Sequence, residues 1–307
     1  MAELSLPFVS VIIPVFNDAK RLQRCLTALE QQTYPPDLYE VIVVDNGSDA
    51  TENLVELVQR FQHATLTHES QPGSYAARNK GISLAKGTAI AFTDADCIPA
   101  NDWLEQGVTL LLQTPNVGLI GGKIQCSFVD PARPTAVELY ESLWYPLPQQ
   151  EFVEKHHFAA TANVFTVASV IQKVGGFDGT LKSNGDREWG QRVHQAGYHL
   201  IYGETVEVTH PARHNLPELH RRARRIIGGR YDLHQKTPFW QRQQFFILTV
   251  AQYSIAPMIM LGFNLLGDRR LKTFQQKLQV SGVMFFVSYV YVWEMFRLKC
   301  GSPSYRG

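Results

Sequence analysis

Two carboxylates one residue apart, Asp94 and Asp96, directly follow the apolar, β-prone run Ala89–Thr93. A buried strand that ends there would place acidic oxygens at the rim of a sheet, where hard cations and their phosphate ligands can reach them. The same pattern is also typical of an ordinary strand-to-turn junction, because Asp accepts backbone hydrogen bonds in turns. The pair therefore predicts a cation site only if neighbouring elements bring further polar groups to the same place.

The elements around this pair repeat in the order strand, loop, helix. Apolar runs at Phe8–Val15 and Val41–Val44 predict two strands, and Thr65–His68 predicts a third, weaker one. Each is followed by a segment with helical character. Alternating strands and helices predict an α/β fold with a mostly parallel, doubly wound sheet, whose binding groups collect at the carboxyl ends of the strands. We therefore expect four polar side chains to lie along one rim: Asn17, Asp45, Asp94 and Asp96.

The chain after residue 100 continues this domain with a different pattern. Val117–Ile124 predicts a strand, Thr135–Trp144 a helix, and Glu188–Ala196 a second helix that follows a glycine-rich stretch. Two short strands are predicted near Leu200–Tyr202 and Val206–His210. We therefore predict one α/β domain over residues 1–215, with halves at 1–100 and 101–215.

Residues 216–243 are predicted to form a basic amphipathic helix. Over Leu216–Leu233 the apolar residues share one side, and four arginines crowd the other: Arg221, Arg222, Arg224 and Arg225. These arginines can form a solvated surface. They repel one another unless an anion is near, however, which equally predicts contact with phosphate groups or with a membrane surface.

Residues 244–307 are predicted to form an apolar, membrane-associated helical hairpin. Phe245–Gly267 is an uncharged run long enough for a bilayer-spanning helix, and Leu278–Trp293 is a second, slightly short one. Basic residues on both sides conflict with two simple spans, since the short loop would lie opposite the cytosolic domain. Helices that lie in the membrane interface, and apolar helices that pack inside a soluble fold, both stay open.

The composition bounds the remaining possibilities. A formal charge of +1 over 307 residues gives no global attraction to polyanions, so no nucleic acid partner is expected. Four widely spaced cysteines without a Cys-x-x-Cys pair argue against a zinc cluster and a disulfide framework, which favours a reducing cytoplasm. The chain also lacks a phosphate-binding loop, a dinucleotide fingerprint and a nucleophile elbow, so kinase-like, dehydrogenase and hydrolase functions lose most of their support.

Five stretches together resemble the family 2 glycosyltransferases, whose catalytic domain has the GT-A fold. In chain order they are VSVIIPVFN at Val9–Asn17, VIVVDNGS at Val41–Ser48, ARNKG at Ala77–Gly81, FTDAD at Phe92–Asp96, and GGFD at Gly175–Asp178 followed by GDREW at Gly185–Trp189. The resemblance extends from about Val9 to His210, and the combination of motifs in this order is highly specific.

The resemblance implies a nucleotide-diphosphate sugar as the donor. Three residues would line the pocket for its base and ribose: Pro14, Asn17 and Asp45. Asp45 could instead form only an Asx turn with Ser48, although its position after a buried strand favours ligand contact. Arg78 and Asn79 would face the donor diphosphate or its ribose.

The resemblance also implies a divalent metal ion, Mg²⁺ or Mn²⁺, as cofactor. Asp96 would bind the ion and Asp94 would lie closer to the ribose or the sugar. The ion would stabilise the negative charge that develops on the leaving nucleoside diphosphate. His210 occupies a position from which related enzymes reach the metal or the diphosphate, although a lone histidine after a strand is commonly structural.

The catalytic base implied by the resemblance is Asp186, which would remove the proton from the attacking hydroxyl group. The chain departs from the family pattern at Gly185, where an acidic residue usually precedes this aspartate. Glu188 is the alternative base, and Asp186 could also cap the following helix. Trp189 could form an aromatic floor for a sugar ring or pack in the core.

The resemblance therefore implies an inverting glycosyltransferase that moves one sugar onto a lipid-linked or polysaccharide acceptor. Its partners would be the nucleotide-sugar, this acceptor and the membrane surface or bilayer, at the cytoplasmic face of the cell membrane in envelope or exopolysaccharide biosynthesis. Two alternatives stay open: a nucleotidyltransferase, for which the expected Gly-rich basic loop is missing after the first strand, and a sugar-binding scaffold without turnover.

Overall fold

The computed structural model describes residues 5–144, 147–235, 237–261 and 270–305. The chain divides into two compact units. The first comprises Met1–Gln125, Leu147–Thr180 and Gly185–His210, and the second comprises Cys126–Pro146, Leu181–Asn184 and Pro211–Gly307. The second unit thus includes residues 126–146, which the sequence pattern groups with the α/β domain.

The described residues form one mixed sheet of eight strands in the order β3-β2-β1-β4-β7-β6-β8-β5. The strands are β1 (Val9–Val15), β2 (Tyr39–Asp45), β3 (Ala64–His68), β4 (Ala89–Thr93), β5 (Ile98–Pro99), β6 (Val117–Ser127), β7 (Asn163–Val167) and β8 (His199–Pro211). The first four in sequence pair in parallel, as predicted from the alternation of strands and helices. β7 is antiparallel to both β4 and β6, and β5 is antiparallel to β8.

Eleven α-helices lie within the described ranges. They are α1 (Ala19–Leu29), α2 (Leu54–Val58), α3 (Ser74–Leu84), α4 (Trp103–Gln113), α5 (Ala136–Trp144), α6 (Gln149–His156), α7 (Ala168–Val174), α8 (Gly185–Gln195), α9 (Leu216–Gln235), α10 (Phe239–Met260) and α11 (Phe274–Lys299). The predicted basic helix ends at Gln235, and Pro238 precedes α10. The predicted boundary at residue 243 therefore falls inside α10.

The core of the first unit forms around the central strands. Helices cover these strands, so β1 and β4 are almost completely buried, which explains their continuous apolar composition. Two glycines permit the close approach of a helix: a Cβ at Gly81 would overlap Ile12, and a Cβ at Gly107 would overlap the ring of Phe165. This tight packing holds the carboxyl ends of the strands in fixed positions.

Two parts of the first unit differ from the sequence-based expectation. The elements that were not predicted are β5, α4, α6, β7 and α7. The two short strands predicted near residues 200–210 are one continuous strand, β8, because Gly203 does not interrupt it. A Cβ at Gly203 would lie 2.9 Å from Leu110, so the missing side chain makes room for α4 and does not mark a turn.

The second unit has its own apolar core, built by α5, α9, α10 and α11. The arginines of α9 find anionic partners inside this unit: Arg222 Nε lies 3.5 Å from Glu141, and Arg224 Nε lies 3.1 Å from Glu294. Glu294 is almost fully buried and is also bound by Arg297. The sequence alone left open whether these arginines bind an external anion. In the structure, glutamates of the protein itself compensate part of their positive charge.

Among the described helices, α11 is the one with the length and composition to cross a membrane, and 56% of its most apolar window is buried inside the protein. Length and composition do not distinguish such a helix from a core helix of a soluble protein. The apolar run predicted over Phe245–Gly267 is helical within α10, while residues 262–267 lie outside the described residues.

Candidate active site

The two carboxylates Asp94 and Asp96 lie in a tight turn at the carboxyl end of β4. The N–H of Cys97 donates to the carbonyl of Asp94 at 3.0 Å and closes this turn. The hydroxyl of Thr93 donates to the carbonyl of Ala162 at 2.9 Å, which fixes the end of the strand just before the turn. The backbone therefore presents the two carboxylates from a rigid support.

Asp96 and His210 form the best candidate for a metal site. Pairing of β5 with β8 places Ile98 opposite Thr209, so the ends of these strands bring the two side chains together, with His210 Nε2 3.6 Å from an Asp96 oxygen. Ligand atoms of Asp96, Cys97 and His210 lie within 4.8 Å of one another. Burial, with the charge of Asp96, raises the pKa of Cys97 well above its usual value, so its thiol stays protonated. The remaining oxygen and nitrogen donors suit Mg²⁺ or Mn²⁺.

Asp94 makes a different contact from Asp96. Its carboxylate accepts a short hydrogen bond from a terminal nitrogen of Arg78, on α3. The side chain of Arg78 is only 4% exposed, and its Nε has no hydrogen-bond partner among the described residues. A buried guanidinium with an unsatisfied donor beside a carboxylate is a suitable contact for a further anionic group.

Asp186, at the start of α8, is connected to this pair through Tyr75 of α3. The Tyr75 hydroxyl donates to Asp186 Oδ1 at 3.3 Å, and the guanidinium of Arg78 lies 5.6 Å from the centre of the Tyr75 ring. Part of the Asp186 side chain reaches solvent, but protein atoms surround its carboxyl group, and this burial raises the pKa of Asp186. The Arg187 N–H, the charge of Arg78 and the Tyr75 hydroxyl lower the pKa and oppose that shift.

The unusual glycine at position 185 has a steric explanation. A Cβ at Gly185 would lie 2.7 Å from carbon atoms of the Tyr75 ring. The ring also stacks on Phe177, with 5.7 Å between the ring centroids. Tyr75 therefore occupies the space that a side chain at 185 would need, and it directs its hydroxyl to the adjacent carboxylate.

The predicted donor-binding residues of β1 and β2 lie side by side. Pro14 pairs with Val44 in the parallel register, and Val15 pairs with Asp45. The N–H of Ser48 donates to Asp45 Oδ1 at 2.9 Å, and His68 Nδ1 lies 3.5 Å from the other carboxylate oxygen. The Asx turn considered from the sequence therefore exists and uses one oxygen of Asp45.

Asn17 joins the loops that follow these two strands. Its N–H donates to Ser48 Oγ at 2.9 Å, and its side-chain oxygen accepts from the N–H of Asp49 at 2.7 Å. Its φ of 50° lies in the left-handed region, where Asn is better tolerated than most residues. These contacts give Asn17 a role in shaping the loops.

The side-chain amide of Asn79, which is expected to face the donor diphosphate or its ribose, is bound in this structure to the backbone of Phe177. Its Nδ2 donates to the carbonyl of Phe177 at 2.8 Å, and its Oδ1 accepts from the N–H of Phe177 at 2.9 Å. A Cβ at Gly176 would lie 2.5 Å from the same Oδ1. Both ends of the amide thus hold the glycine-rich segment against α3, so Asn79 positions the loop before α8.

The contacts of Glu188 and Trp189 on α8 bear on the alternatives that the sequence left open for them. Glu188 binds Arg192, with 2.5 Å between Nε and Oε1, and Arg192 also donates to the carbonyls of Val174 and Gly176. Trp189 is 1% exposed and its indole donates to the carbonyl of Gly175 at 3.0 Å. Glu188 therefore belongs to a structural ion pair, and Trp189 belongs to the core.

Two residues of this site were missed from the sequence. Tyr75 lies next to the ARN motif, but nothing in the sequence indicates that its hydroxyl reaches Asp186. Asp18 directly precedes α1, but its side chain does not cap the helix and instead pairs with Arg21 at 3.2 Å. Burial raises the pKa of Asp18; the charge of Arg21 lowers it, and the charge of Asp96 raises it.

The chain is similar to several known proteins. Residues 10–175 match the model of the family described as glycosyl transferase family 2. Glycosyltransferase AglE of Haloferax volcanii is 39% identical over 265 residues, which cover 84% of this chain and 82% of AglE. The pre-mycofactocin glycosyltransferase of Mycobacterium tuberculosis is 33% identical over 215 residues, which cover 68% of this chain and 43% of that protein.

A solved structure shares the fold. Mannosyltransferase PcManGT from Pyrobaculum calidifontis, in complex with GDP-Man and Mn²⁺, aligns with a TM-score of 0.60 at 19% identity, over 94% of this chain and 87% of that one. The predicted GT-A fold is thereby confirmed. The family match covers more than half of the chain and includes the Asp94–Asp96 turn. The chain therefore belongs to glycosyl transferase family 2.

Proposed function

We propose that this glycosyltransferase transfers a single sugar, with inversion, from a nucleotide-diphosphate sugar to a hydroxyl group of a lipid-linked or polysaccharide acceptor. The observation that supports this most is the connection from Asp186 through Tyr75 and Arg78 to Asp94. It joins a candidate base to the acidic turn within one network. The reaction would serve envelope or exopolysaccharide biosynthesis at the cytoplasmic face of the membrane.

In the proposed reaction, Asp186 accepts the proton of the acceptor hydroxyl. The acceptor oxygen forms a bond to the anomeric carbon while the bond from that carbon to the diphosphate oxygen breaks, so one displacement inverts the configuration. The electron pair of the broken bond leaves with the nucleoside diphosphate. The raised pKa of Asp186 makes its carboxylate a stronger base than an exposed aspartate.

The donor diphosphate would lie against the acidic turn. Asp96 and His210 would hold Mg²⁺ or Mn²⁺, which when bound neutralises charge on the leaving diphosphate. Arg78 keeps Asp94 in place and supplies a buried positive charge beside it. Pro14 and Asp45 would border the nucleoside, while Asn17 and Asn79 shape the loops around it.

The test is a binding and transfer screen with UDP-, GDP- and dTDP-sugars, in Mn²⁺ or in EDTA. The protein should bind one donor only in the presence of metal, and Asp96→Ala should abolish that binding. Asp186→Asn should retain donor binding but lose transfer by about a thousandfold or more, because it removes the proton acceptor.

Asp102→Asn is the matched control, since Asp102 lies at the start of α4 and bonds to Gln106 outside the site. It should behave as the wild type in both assays. Full transfer activity in Asp186→Asn would refute the assignment of the base. Donor binding that persists in EDTA and in Asp96→Ala would refute the metal site.

A further inference from the structure

The helices α10 and α11 carry an apolar surface that no described residue covers. Apart from Phe239 at the start of α10, the exposed large apolar side chains of each helix fall on one face, within about a third of the helix circumference. On α10 this face contains Trp240, Ile247, Leu248, Ile255, Met258 and Ile259, and on α11 it contains Phe274, Leu278, Phe285, Tyr289, Trp293 and Phe296. Trp240 is 80% exposed and Trp293 is 60% exposed. We name these twelve side chains the apolar stripe.

The two helices that carry the apolar stripe are neighbours. The helices pack against each other in antiparallel directions, with Tyr253 on Tyr291 at 4.3 Å and Phe246 on Phe296 at 5.4 Å between ring centroids. Twelve exposed large apolar side chains on two neighbouring helices indicate an interaction site. The stripe extends along almost the full length of both helices.

The opposite face of α11 is buried in the protein. Val280, Met284, Val287 and Met295 lie in the core of the second unit, together with Leu219, Ala223 and Ile227 of α9. α9 thus packs along most of the length of α11, and its outer side carries arginines, of which Arg221 and Arg230 are exposed. If α11 crossed a bilayer, α9 would be carried into the hydrocarbon layer with these charges. A span in this packing is therefore disfavoured.

The charges near the stripe indicate the kind of surface that would cover it. Between Phe239 and Tyr305 the acidic residues are Asp268 and the buried Glu294, whereas the basic residues are more numerous: Arg242, Arg269, Arg270, Lys272, Lys277, Arg297 and Lys299. The chain as a whole carries a formal charge of only +1. This local positive excess complements anionic lipid headgroups.

From these observations we infer that α10 and α11 lie along the surface of an anionic bilayer, with their axes in its plane and the apolar stripe immersed at the boundary between headgroups and acyl chains. The inference rests on the membrane location proposed above and adds the geometry of binding. The enzyme is anchored to one leaflet without crossing it. Its tests need neither donor nor turnover, so they can fail independently of the proposed reaction.

The first test measures binding of the full-length protein to vesicles of phosphatidylglycerol and phosphatidylcholine by co-sedimentation. Binding is expected to exceed that to pure phosphatidylcholine and to weaken at high salt. The double variant Trp240→Glu/Trp293→Glu should bind at least about tenfold more weakly, because it places charges in the stripe. Val55→Glu/Val129→Glu adds the same two charges at exposed apolar residues elsewhere and should bind as the wild type.

The second test determines on which side of the bilayer the turn between α10 and α11 lies. In a Cys126→Ser/Cys300→Ser background, which removes the two exposed cysteines, Lys272→Cys is labelled with a membrane-impermeant maleimide on sealed vesicles. Lys272 and the control Lys155 are both exposed, so Lys272→Cys and Lys155→Cys should label equally without detergent.

Three results would overturn the inference. Labelling of Lys272→Cys only after detergent would show that the hairpin spans the bilayer. Equal vesicle binding by the two double variants would show that the stripe is not the lipid contact. A stable dimer that does not bind vesicles, and that Trp240→Glu/Trp293→Glu converts to a monomer, would show that a second copy of the chain covers the stripe.

Discussion

The substitution Tyr75→Phe tests whether Tyr75 tunes the proposed base. It removes one oxygen atom and leaves the ring, which fills the space beside Gly185 and stacks on Phe177. The expected change is therefore confined to the hydrogen bond from the Tyr75 hydroxyl to Asp186 Oδ1. Because this bond stabilises the carboxylate, its loss should raise the pKa of Asp186 further.

The size of the effect follows from the geometry. A hydrogen bond to a charged group contributes about 1.5–3 kcal/mol to stability. The O···O distance of 3.3 Å is longer than the usual 2.5–3.0 Å or so. We therefore expect about 1 kcal/mol, which corresponds to about a fivefold decrease in kcat/KM. The decrease should be largest on the acidic side of the pH profile, where more of Asp186 becomes protonated.

The assay is the pH dependence of kcat/KM for sugar transfer, with donor affinity measured in parallel. The acidic limb should move to higher pH in Tyr75→Phe while donor affinity stays unchanged. Tyr198→Phe is the matched control, because the Tyr198 ring contacts Lys173 outside the site. Gly185→Ala should reduce transfer more than Tyr75→Phe, since the added methyl group displaces the whole ring. An acidic limb at the same pH in Tyr75→Phe and the wild type would refute the reasoning.

Three further predictions concern stability. The raised pKa of Asp186 means that ionisation of this carboxyl group destabilises the folded protein, so the free energy of unfolding of the wild type falls as pH rises through the folded-state pKa. Asp186→Asn should therefore have a higher Tm than the wild type at about pH 7.5, and the difference should vanish at acidic pH. Gly107→Ala should cost about 1–3 kcal/mol in urea unfolding because its methyl group overlaps Phe165, whereas Gly282→Ala, with open space around it, should be neutral or stabilising. Glu294→Gln should lower the free energy of unfolding by about 2 kcal/mol, because Arg224 and Arg297, which are partly exposed, lose their ion pairs with a buried carboxylate. An unchanged urea midpoint would contradict this prediction.

The parallel half of the sheet could be predicted because its sequence follows simple rules. β1, β2 and β4 are covered on both faces, so they are short, continuous apolar runs, and polar residues begin where the strands end. Because binding groups collect at the carboxyl ends of parallel strands, the order of the elements alone predicts that Asp45, Asp94 and Asp96 share one rim. The GT-A fold, by contrast, is implied by the resemblance of the five motifs.

The antiparallel half was harder to predict because its boundaries carry no local signal. β7 is followed directly by α7, in the unbroken run NVFTVASVIQKV, without the glycine or proline that commonly marks a strand end. Gly203 has the opposite effect, because it resembles a break but lies within β8. In both cases the outcome depends on neighbours distant in sequence, which a local pattern does not contain.

Side-chain partners were the other limit of the sequence. The residue types of the ARN motif do not reveal that Asn79 turns towards the backbone of Phe177 while Arg78 turns towards Asp94. Likewise, four close arginines suggest an external anion, and only the fold shows that Glu141 and Glu294 supply part of the negative charge.

The position of β7 between β4 and β6 also affects how the protein folds during translation. During translation β4 emerges long before Asn163–Val167, so one of its hydrogen-bonding edges stays unpaired while the chain grows. An unpaired, largely apolar edge strand is prone to join other chains. The turn that carries Asp94 and Asp96 acquires its support only once Ala162 and β7 have arrived. A nascent fragment that ends before Asn163 therefore lacks a finished donor site, even though it already contains both carboxylates.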